Sequence, residues 1–106
     1  MDGTIYLIGE VDNDSRYKIG MTRGKASKRK RELQTGNSSE LYVRFEYKTE
    51  TPVMLEHMLH KHFQDSGLIN EWFELKKEDA DNFIDICDKI QKRIDALKDN
   101  PFFKRH

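Results

Sequence analysis

Residues 4–21, with the sequence TIYLIGEVDNDSRYKIGM, decide which fold this chain can adopt. Two short segments rich in isoleucine and tyrosine, residues 4–9 and 16–21, flank a stretch that contains several turn-forming residues. This pattern predicts a β-hairpin with a loop of about five or six residues. A register that places Gly9 opposite Ser15 would set Tyr6 directly opposite Lys18.

The two faces of this hairpin carry different kinds of side chain. Side chains alternate along a strand, and residues opposite each other on paired strands share a face. The apolar face, with Ile5, Leu7, Tyr17 and Ile19, is therefore predicted to join the core, whereas the other face, with Tyr6, Ile8, Arg16 and Lys18, mixes a phenol with cations and indicates a site.

Apolar periodicity predicts the remaining elements. The fold class is predicted as α/β of the α+β type, a small three-stranded antiparallel sheet flanked by helices, with an extra long C-terminal helix. Residues 1–75 would form the core, and residues 76–106 a helical extension packed on the same single domain. After the hairpin we expect a helix over 27–35 with Ser27 as its N-cap, and a strand over 41–48. A second helix should start at Thr51-Pro52, with Thr51 as its N-cap and Pro52 in its first turn, and continue over 53–65. A short strand or extended segment over 71–75 follows, and then a helix over 78–98 with a buried stripe that includes Leu97 and a stop at Asn100-Pro101.

The composition limits the class of protein. A chain of 106 residues with 36% charged and 36% hydrophobic residues has room for one domain with a modest core. Cys87 is the single cysteine, so an internal disulfide is excluded. The sequence has no apolar run long enough to cross a membrane and no signal-peptide pattern at its start, so we expect a soluble, cytoplasmic protein with no membrane partner.

Charge is distributed unevenly along the chain. The formal net charge is zero, yet residues 16–31 contain eight basic residues and no acidic one. Local charge, more than the total, steers a polyanion such as DNA. On charge alone, a solvated basic helix face is an equally good interpretation.

The order of several short motifs resembles the GIY-YIG nuclease superfamily. The motifs are Thr4-Ile5-Tyr6, Lys18-Ile19-Gly20, Arg29 in the next helix and Glu56 in a later helix. The stretches YKIGMTR, ELQTGNSSEL, LEHMLHKHF and NEWFEL are similar to a phage and microbial branch whose members are often described only as DNA-binding domains. The resemblance covers residues 4–75 and implies a metal-dependent DNA endonuclease, with residues 1–75 as its nuclease core.

The resemblance assigns roles that fit the chemistry of phosphodiester hydrolysis. In this interpretation Tyr6 and Lys18 activate water, Arg29 stabilises charge on the phosphate, and Glu56 holds Mg²⁺ or Mn²⁺. His60, one helical turn after Glu56, is either a proton carrier or phosphate contact, or an interior histidine with a hydrogen bond. Asn70 and Glu71 are expected to approach the site from a loop, and the residues expected to contact the DNA backbone are Arg16, Arg23, Lys25, Lys28, Lys30 and Arg31.

One departure from the family pattern leaves alternatives open. Lys18 stands where the superfamily has a second signature tyrosine, so the chain could be a DNA-binding module that cuts weakly or not at all. A further alternative is an interaction domain whose C-terminal helix pairs with a partner protein or with a second copy.

Overall fold

The computed structural model describes residues 2–98 and has an α+β fold. Four antiparallel strands form one sheet in the order β3-β1-β2-β4, and helices cover both of its faces. The strands are β1 (Gly3–Glu10), β2 (Asn13–Thr22), β3 (Leu41–Thr49) and β4 (Trp72–Glu74). The helices are α1 (Ala26–Thr35), α2 (Pro52–His62), α3 (Lys77–Asp81) and α4 (Phe83–Lys98), with one 3₁₀ turn at Gln64–Ser66. The predicted stop at Asn100-Pro101 lies outside the described residues.

The prediction of a three-stranded sheet is wrong, because β4 adds a fourth strand. It pairs antiparallel with β2, with Lys18 opposite Trp72 and Arg16 opposite Glu74. The short strand or extended segment predicted over 71–75 is this strand, but three residues are too few to show an alternating pattern that would place it in the sheet. The strand exists because the edge of β2 offers backbone partners, which only the folded sheet supplies.

The register of the hairpin differs by two residues from the predicted one. Only two residues, Val11 and Asp12, separate β1 from β2, and a bulge takes up the rest of the expected loop. Tyr6 therefore pairs with Gly20, and Lys18 pairs with Ile8. A shift of two residues leaves every side chain on its original face, so the predicted division into two faces survives.

Each face of the hairpin is packed against a different set of helices. The apolar face, including Ile5 and Ile19, forms the main core with buried side chains of α2 and α4. The other face forms a smaller cluster in which Tyr6 and Ile8 pack with Ala26 of α1, Leu41 of β3 and Trp72 of β4. A bulge in the pairing of β1 with β3 reverses which face the side chains of β3 occupy. Leu41 and Val43, before the bulge, pack in the smaller cluster, and Phe45 and Tyr47, after it, pack in the main core.

Two helices replace the single long one expected near the end of the chain. The break falls at Asn82, between α3 and α4. Helix α4 buries Phe83, Cys87, Ile90 and Ile94 in the main core, whereas Leu97 is 42% exposed and lies outside the stripe that the sequence predicted. None of the described helices combines the length and apolar character that crossing a membrane requires.

Candidate active site

The site forms where β4 stops short along the edge of β2. Pairing with β4 covers β2 only from Arg16 to Lys18, which leaves the backbone groups of the next residues without a strand partner. The amide of Ile19 donates to the carbonyl of Glu71 at 3.3 Å, and the amide of Met21 donates to the carboxylate of Glu56. The carbonyl of Ile19 accepts a hydrogen bond from Nε2 of His60 at 2.8 Å. Buried backbone groups need hydrogen-bond partners, and at this edge side chains of α2 and the loop before β4 supply them. These groups therefore lie close together beside β2.

Gly20 makes room for the phenol of Tyr6. The two residues are directly paired across β1 and β2, and a Cβ atom at position 20 would overlap the phenol ring and its oxygen. Tyr6 is 1% exposed, so the ring has no alternative place outside the packed cluster. The glycine of the Lys18-Ile19-Gly20 motif is therefore required by close approach of the phenol.

The cation bound to the phenol of Tyr6 is Arg29, where the sequence had suggested Lys18. Arg29 lies on α1, and its guanidinium donates a hydrogen bond to the phenol oxygen. Burial raises the pKa of Tyr6, while Arg29 opposes that shift through its hydrogen bond and its charge. The net shift is upward, so Tyr6 is a neutral phenol at neutral pH.

Lys18 is buried and reaches the loop that precedes β4. Its Nζ atom donates to the carbonyl of Asn70 at 2.7 Å, lies 4.0 Å from a carboxylate oxygen of Glu71, and is 5.6 Å from the ring centre of Trp72. Burial lowers the pKa of Lys18, and the negative charge of Glu71 raises it in opposition. The ammonium therefore holds the loop in place and balances part of its negative charge.

Three potential metal ligands converge beside this lysine. Glu56, His60 and Glu71 each offer one ligand atom, and these atoms all lie within 4.8 Å of one another. Burial raises the pKa of Glu56, and the charge of Glu71 raises it further. Carboxylate oxygens suit Mg²⁺ or Mn²⁺, so Glu56 and Glu71 fit the metal that the sequence resemblance implies, whereas an imidazole nitrogen suits a transition metal and favours Mn²⁺ over Mg²⁺.

His60 makes the contacts of an interior histidine, and its role as a proton carrier or phosphate contact stays a prediction. Its Nε2 atom bonds to the carbonyl of Ile19, and its ring lies 5.1 Å from that of Phe73, as expected of an interior histidine. The same side chain also stands beside Glu56 in the cluster of potential ligands.

The basic residues predicted to contact DNA differ in exposure, and Arg16 and Lys30 are less exposed than the others. Arg16 is held against its own chain, with Nε 3.6 Å from a carboxylate oxygen of Glu10 and the guanidinium 4.6 Å from the ring centre of Trp72. Lys30 is half-buried on α1. The remaining ones are exposed on α1 and the segment before it: Arg23, Lys25, Lys28 and Arg31.

Glu71 was expected to approach the site, but no sequence pattern indicated its carboxylate as a metal ligand, the contact of Trp72 with Lys18 or the steric role of Gly20. The close approach of Tyr6 to Gly20 follows from the register, which the hairpin bulge determines. Glu71 reaches the cluster because Asn70 and Glu71 adopt left-handed backbone conformations, with φ of 57° and 68°. An asparagine before the motif EWF is a weak signal for such a turn, since asparagine tolerates this conformation better than most residues.

The chain is similar to one described protein family. A family model described as the T5orf172 domain matches residues 3–88. No curated protein and no solved structure shows significant similarity to the chain.

Proposed function

The chain belongs to the T5orf172 domain family, and from this premise we propose that it is a metal-dependent DNA endonuclease of the GIY-YIG type. The family is a phage-associated one of DNA-binding or nuclease-like domains. The observation that carries the proposal is the convergence of Tyr6, Arg29 and Glu56, from three different elements, on one partly open site. Hydrolysis of a phosphodiester needs an activated water and positive charge near the phosphate, and these side chains supply both functions.

Tyr6 and Arg29 would act on the attacking water and the phosphate. The phenol oxygen of Tyr6 accepts a hydrogen bond from Arg29, which orients the phenol and favours its transient ionisation. Once the phenol proton has passed to solvent, the phenolate of Tyr6 would take a proton from the water as that water attacks phosphorus, and the bond between phosphorus and the leaving oxygen breaks. Arg29 is 40% exposed in its side chain, so its remaining donors can reach phosphate oxygens.

Glu56 would hold the divalent cation of this site. Its carboxylate is fixed by the amide of Met21, which directs it toward His60 and Glu71. When bound, Mg²⁺ or Mn²⁺ supplies Lewis acidity toward the phosphate and charge for the leaving oxygen. Lys18 adds a buried positive charge to the same wall of the site.

The second candidate function is a DNA-binding module that cuts weakly or not at all. Burial raises the pKa of Tyr6, which disfavours the phenolate needed for water activation. Lys18 also stands in place of the second signature tyrosine, so the chain lacks one catalytic group of the superfamily. The exposed basic residues of α1 would still bind the DNA backbone in such a module.

Cleavage of supercoiled plasmid DNA distinguishes the two functions. We expect the parent chain to produce nicked or linear plasmid with Mg²⁺ or Mn²⁺, and no product with EDTA. The variant Glu56→Gln should lose cleavage by about 100-fold or more, since it keeps a hydrogen-bond acceptor for Met21 and removes the charge that holds the cation. DNA binding, measured by gel shift, should stay near that of the parent.

The matched control is Glu78→Gln, an exposed glutamate on α3 outside the site. This variant should cut plasmid DNA like the parent. Cleavage that survives Glu56→Gln would remove the metal-site assignment. A parent chain that shifts DNA but yields no product with either metal would establish the binding-module function instead.

A further inference from the structure

We propose that Glu71 and His60 complete a three-ligand cation site with Glu56, so that the chain binds Mn²⁺ in the absence of DNA. This inference rests on the proposed function, which needs only Glu56 as a protein ligand. A single carboxylate holds a divalent cation weakly and depends on substrate phosphate for further ligands. Three converging protein ligands would hold the cation before the substrate arrives.

The ligand atoms of the cluster lie close enough for side-chain movement to bring them onto one ion. Ligands on opposite sides of a six-coordinate Mg²⁺ are roughly 4.2 Å apart, and adjacent ones are about 3 Å apart. The ligand atoms of Glu56, His60 and Glu71 all lie within 4.8 Å of one another, and only one of their three pairs can be opposite, so binding would draw the other pairs inward by up to about 2 Å. The three residues occupy part of the coordination sphere, and water or phosphate oxygens can take the rest.

The hydrogen bond to Ile19 leaves Nδ1 as the ring nitrogen of His60 that could bind a cation. A carbonyl oxygen only accepts hydrogen bonds, so Nε2 of His60 carries the hydrogen that it donates to Ile19. In the neutral ring the lone pair is then on Nδ1. Histidines that bind metals commonly donate their other ring hydrogen to a backbone carbonyl in this way.

Glu71 is brought to the cluster by its backbone. Both Asn70 and Glu71 have positive φ, and the loop is held by Lys18 at the carbonyl of Asn70 and by the amide of Ile19 at the carbonyl of Glu71. The carboxylate of Glu71 therefore has one neighbour of opposite charge and one of like charge. The ammonium of Lys18 lies 4.0 Å away and attracts it, and the carboxylate of Glu56 repels it. The side chain of Glu71 is 47% exposed, which leaves the carboxylate accessible to an ion from solution.

Isothermal titration of the full chain with MnCl₂, without DNA, tests this proposal. We expect one Mn²⁺ per parent chain, and binding at least tenfold weaker in both Glu56→Gln and Glu71→Gln, because loss of even an outer-shell partner costs about 10- to 100-fold in metal affinity. Glu78→Gln, exposed on α3, should bind like the parent. Both substitutions in the cluster keep the size of the side chain, so a common thermal unfolding midpoint without metal would show that all variants are folded.

A second readout addresses His60 directly. Electron spin-echo modulation of the bound Mn²⁺ should show a coordinated nitrogen in the parent and none in His60→Gln. Unchanged Mn²⁺ affinity in Glu71→Gln would overturn the proposal, as would absence of saturable binding to the parent without DNA or absence of the nitrogen signal.

Failure of this inference and failure of the proposed nuclease function give different results. If the parent cuts plasmid DNA while Glu71→Gln binds Mn²⁺ as tightly as the parent, the nuclease stands and the three-ligand site falls. If Mn²⁺ binds through all three residues and no DNA is cut, the site stands and the nuclease falls.

Discussion

At the scale of single residues, the space around Tyr6 shows how one glycine supports a site. Gly20 lies directly opposite Tyr6, and the phenol lies across the space that any other side chain would fill. Arg29 bonds to the same phenol from α1, so the ring is held between a strand and a helix. The glycine of the Ile19-Gly20 pair is thus required for steric reasons, whatever family the chain belongs to.

Gly20→Ala tests this cause. The added methyl group should push the phenol away from its position, destabilise the fold by about 1–3 kcal/mol through overpacking, and reduce cleavage more strongly than binding. Chemical denaturation gives the free energy of unfolding, and plasmid nicking and gel shift give the two activities. Gly36→Ala is the control, because a Cβ atom at Gly36 meets no atom within 4 Å. A Gly20→Ala chain as stable and active as the parent would contradict the steric argument.

At the scale of elements, α4 is part of the core that supports the site. Its side chains Phe83, Cys87, Ile90 and Ile94 are buried with residues of β1, β2 and α2. Helix α2 carries Glu56 and His60, so α4 helps to hold the helix that positions these groups.

The apolar stripe of α4, which suggested pairing with a partner, is covered by the chain's own core, and a homodimer or partner through this helix stays a prediction. The division of the chain at residues 75 and 76 into a core and an extension likewise stays a prediction.

Truncation of two side chains on α4 measures this contribution. Ile94 is 0% exposed and Leu97 is 42% exposed, although they lie less than one turn apart. Ile94→Ala should lower the free energy of unfolding by about 2–5 kcal/mol, because it removes buried methyl groups and leaves a cavity. Leu97→Ala should cost less than about 1 kcal/mol, as surface substitutions usually do. Equal losses in urea denaturation would show that α4 is not docked as described.

A third measurement concerns the thiol of α4. Burial raises the pKa of Cys87 to about 12, so the thiol stays protonated and inaccessible in the folded chain. Ellman's reagent at pH 8 should react with Cys87 at least 100-fold more slowly in the native chain than in 6 M guanidinium chloride, because the thiolate is the reactive species. Rapid reaction of the native chain would place Cys87 at an accessible surface.

At the scale of the whole molecule, the sheet separates a strongly basic helix, α1, from the helix α4 that completes the main core. Helix α1 packs through Ala26 and Leu33 on the face that holds Tyr6, and α4 packs on the other face. Four consecutive basic residues, 28–31, lie on α1, so a chain with zero net charge still presents a basic surface beside the site. Such a surface is expected to bind the DNA backbone without reading sequence.

The salt dependence of DNA binding tests this distribution. The double variant Lys28→Ala/Arg31→Ala should reduce the slope of log affinity against log salt by about two, since each phosphate contact contributes close to 0.9. The matched control, Lys92→Ala/Arg93→Ala, removes the same two residue types from exposed positions on α4. Fluorescence anisotropy at several salt concentrations gives both slopes. If the two double variants lose the same slope, binding follows total charge and not the surface of α1.

By itself, the sequence determined which residues face the core and which face the site. Alternation in 4–9 and 16–21 separates Ile5 and Ile19 from Tyr6 and Lys18, and this division holds because strand geometry depends only on local backbone. It also placed helices close to α1 and α2, where periodicity and Thr51-Pro52 are strong local signals.

Only the tertiary structure decided the register, the fourth strand and the partners of the charged groups. The bulge after Gly9 moves Tyr6 from Lys18 to Gly20, and β4 is a strand only because β2 has a free edge. Arg29 reaches the phenol, and Lys18 reaches Asn70, because α1 and the loop before β4 pack around that edge. These contacts join residues far apart in the chain, and a local pattern carries no information about which distant backbone group or charge will meet a given side chain.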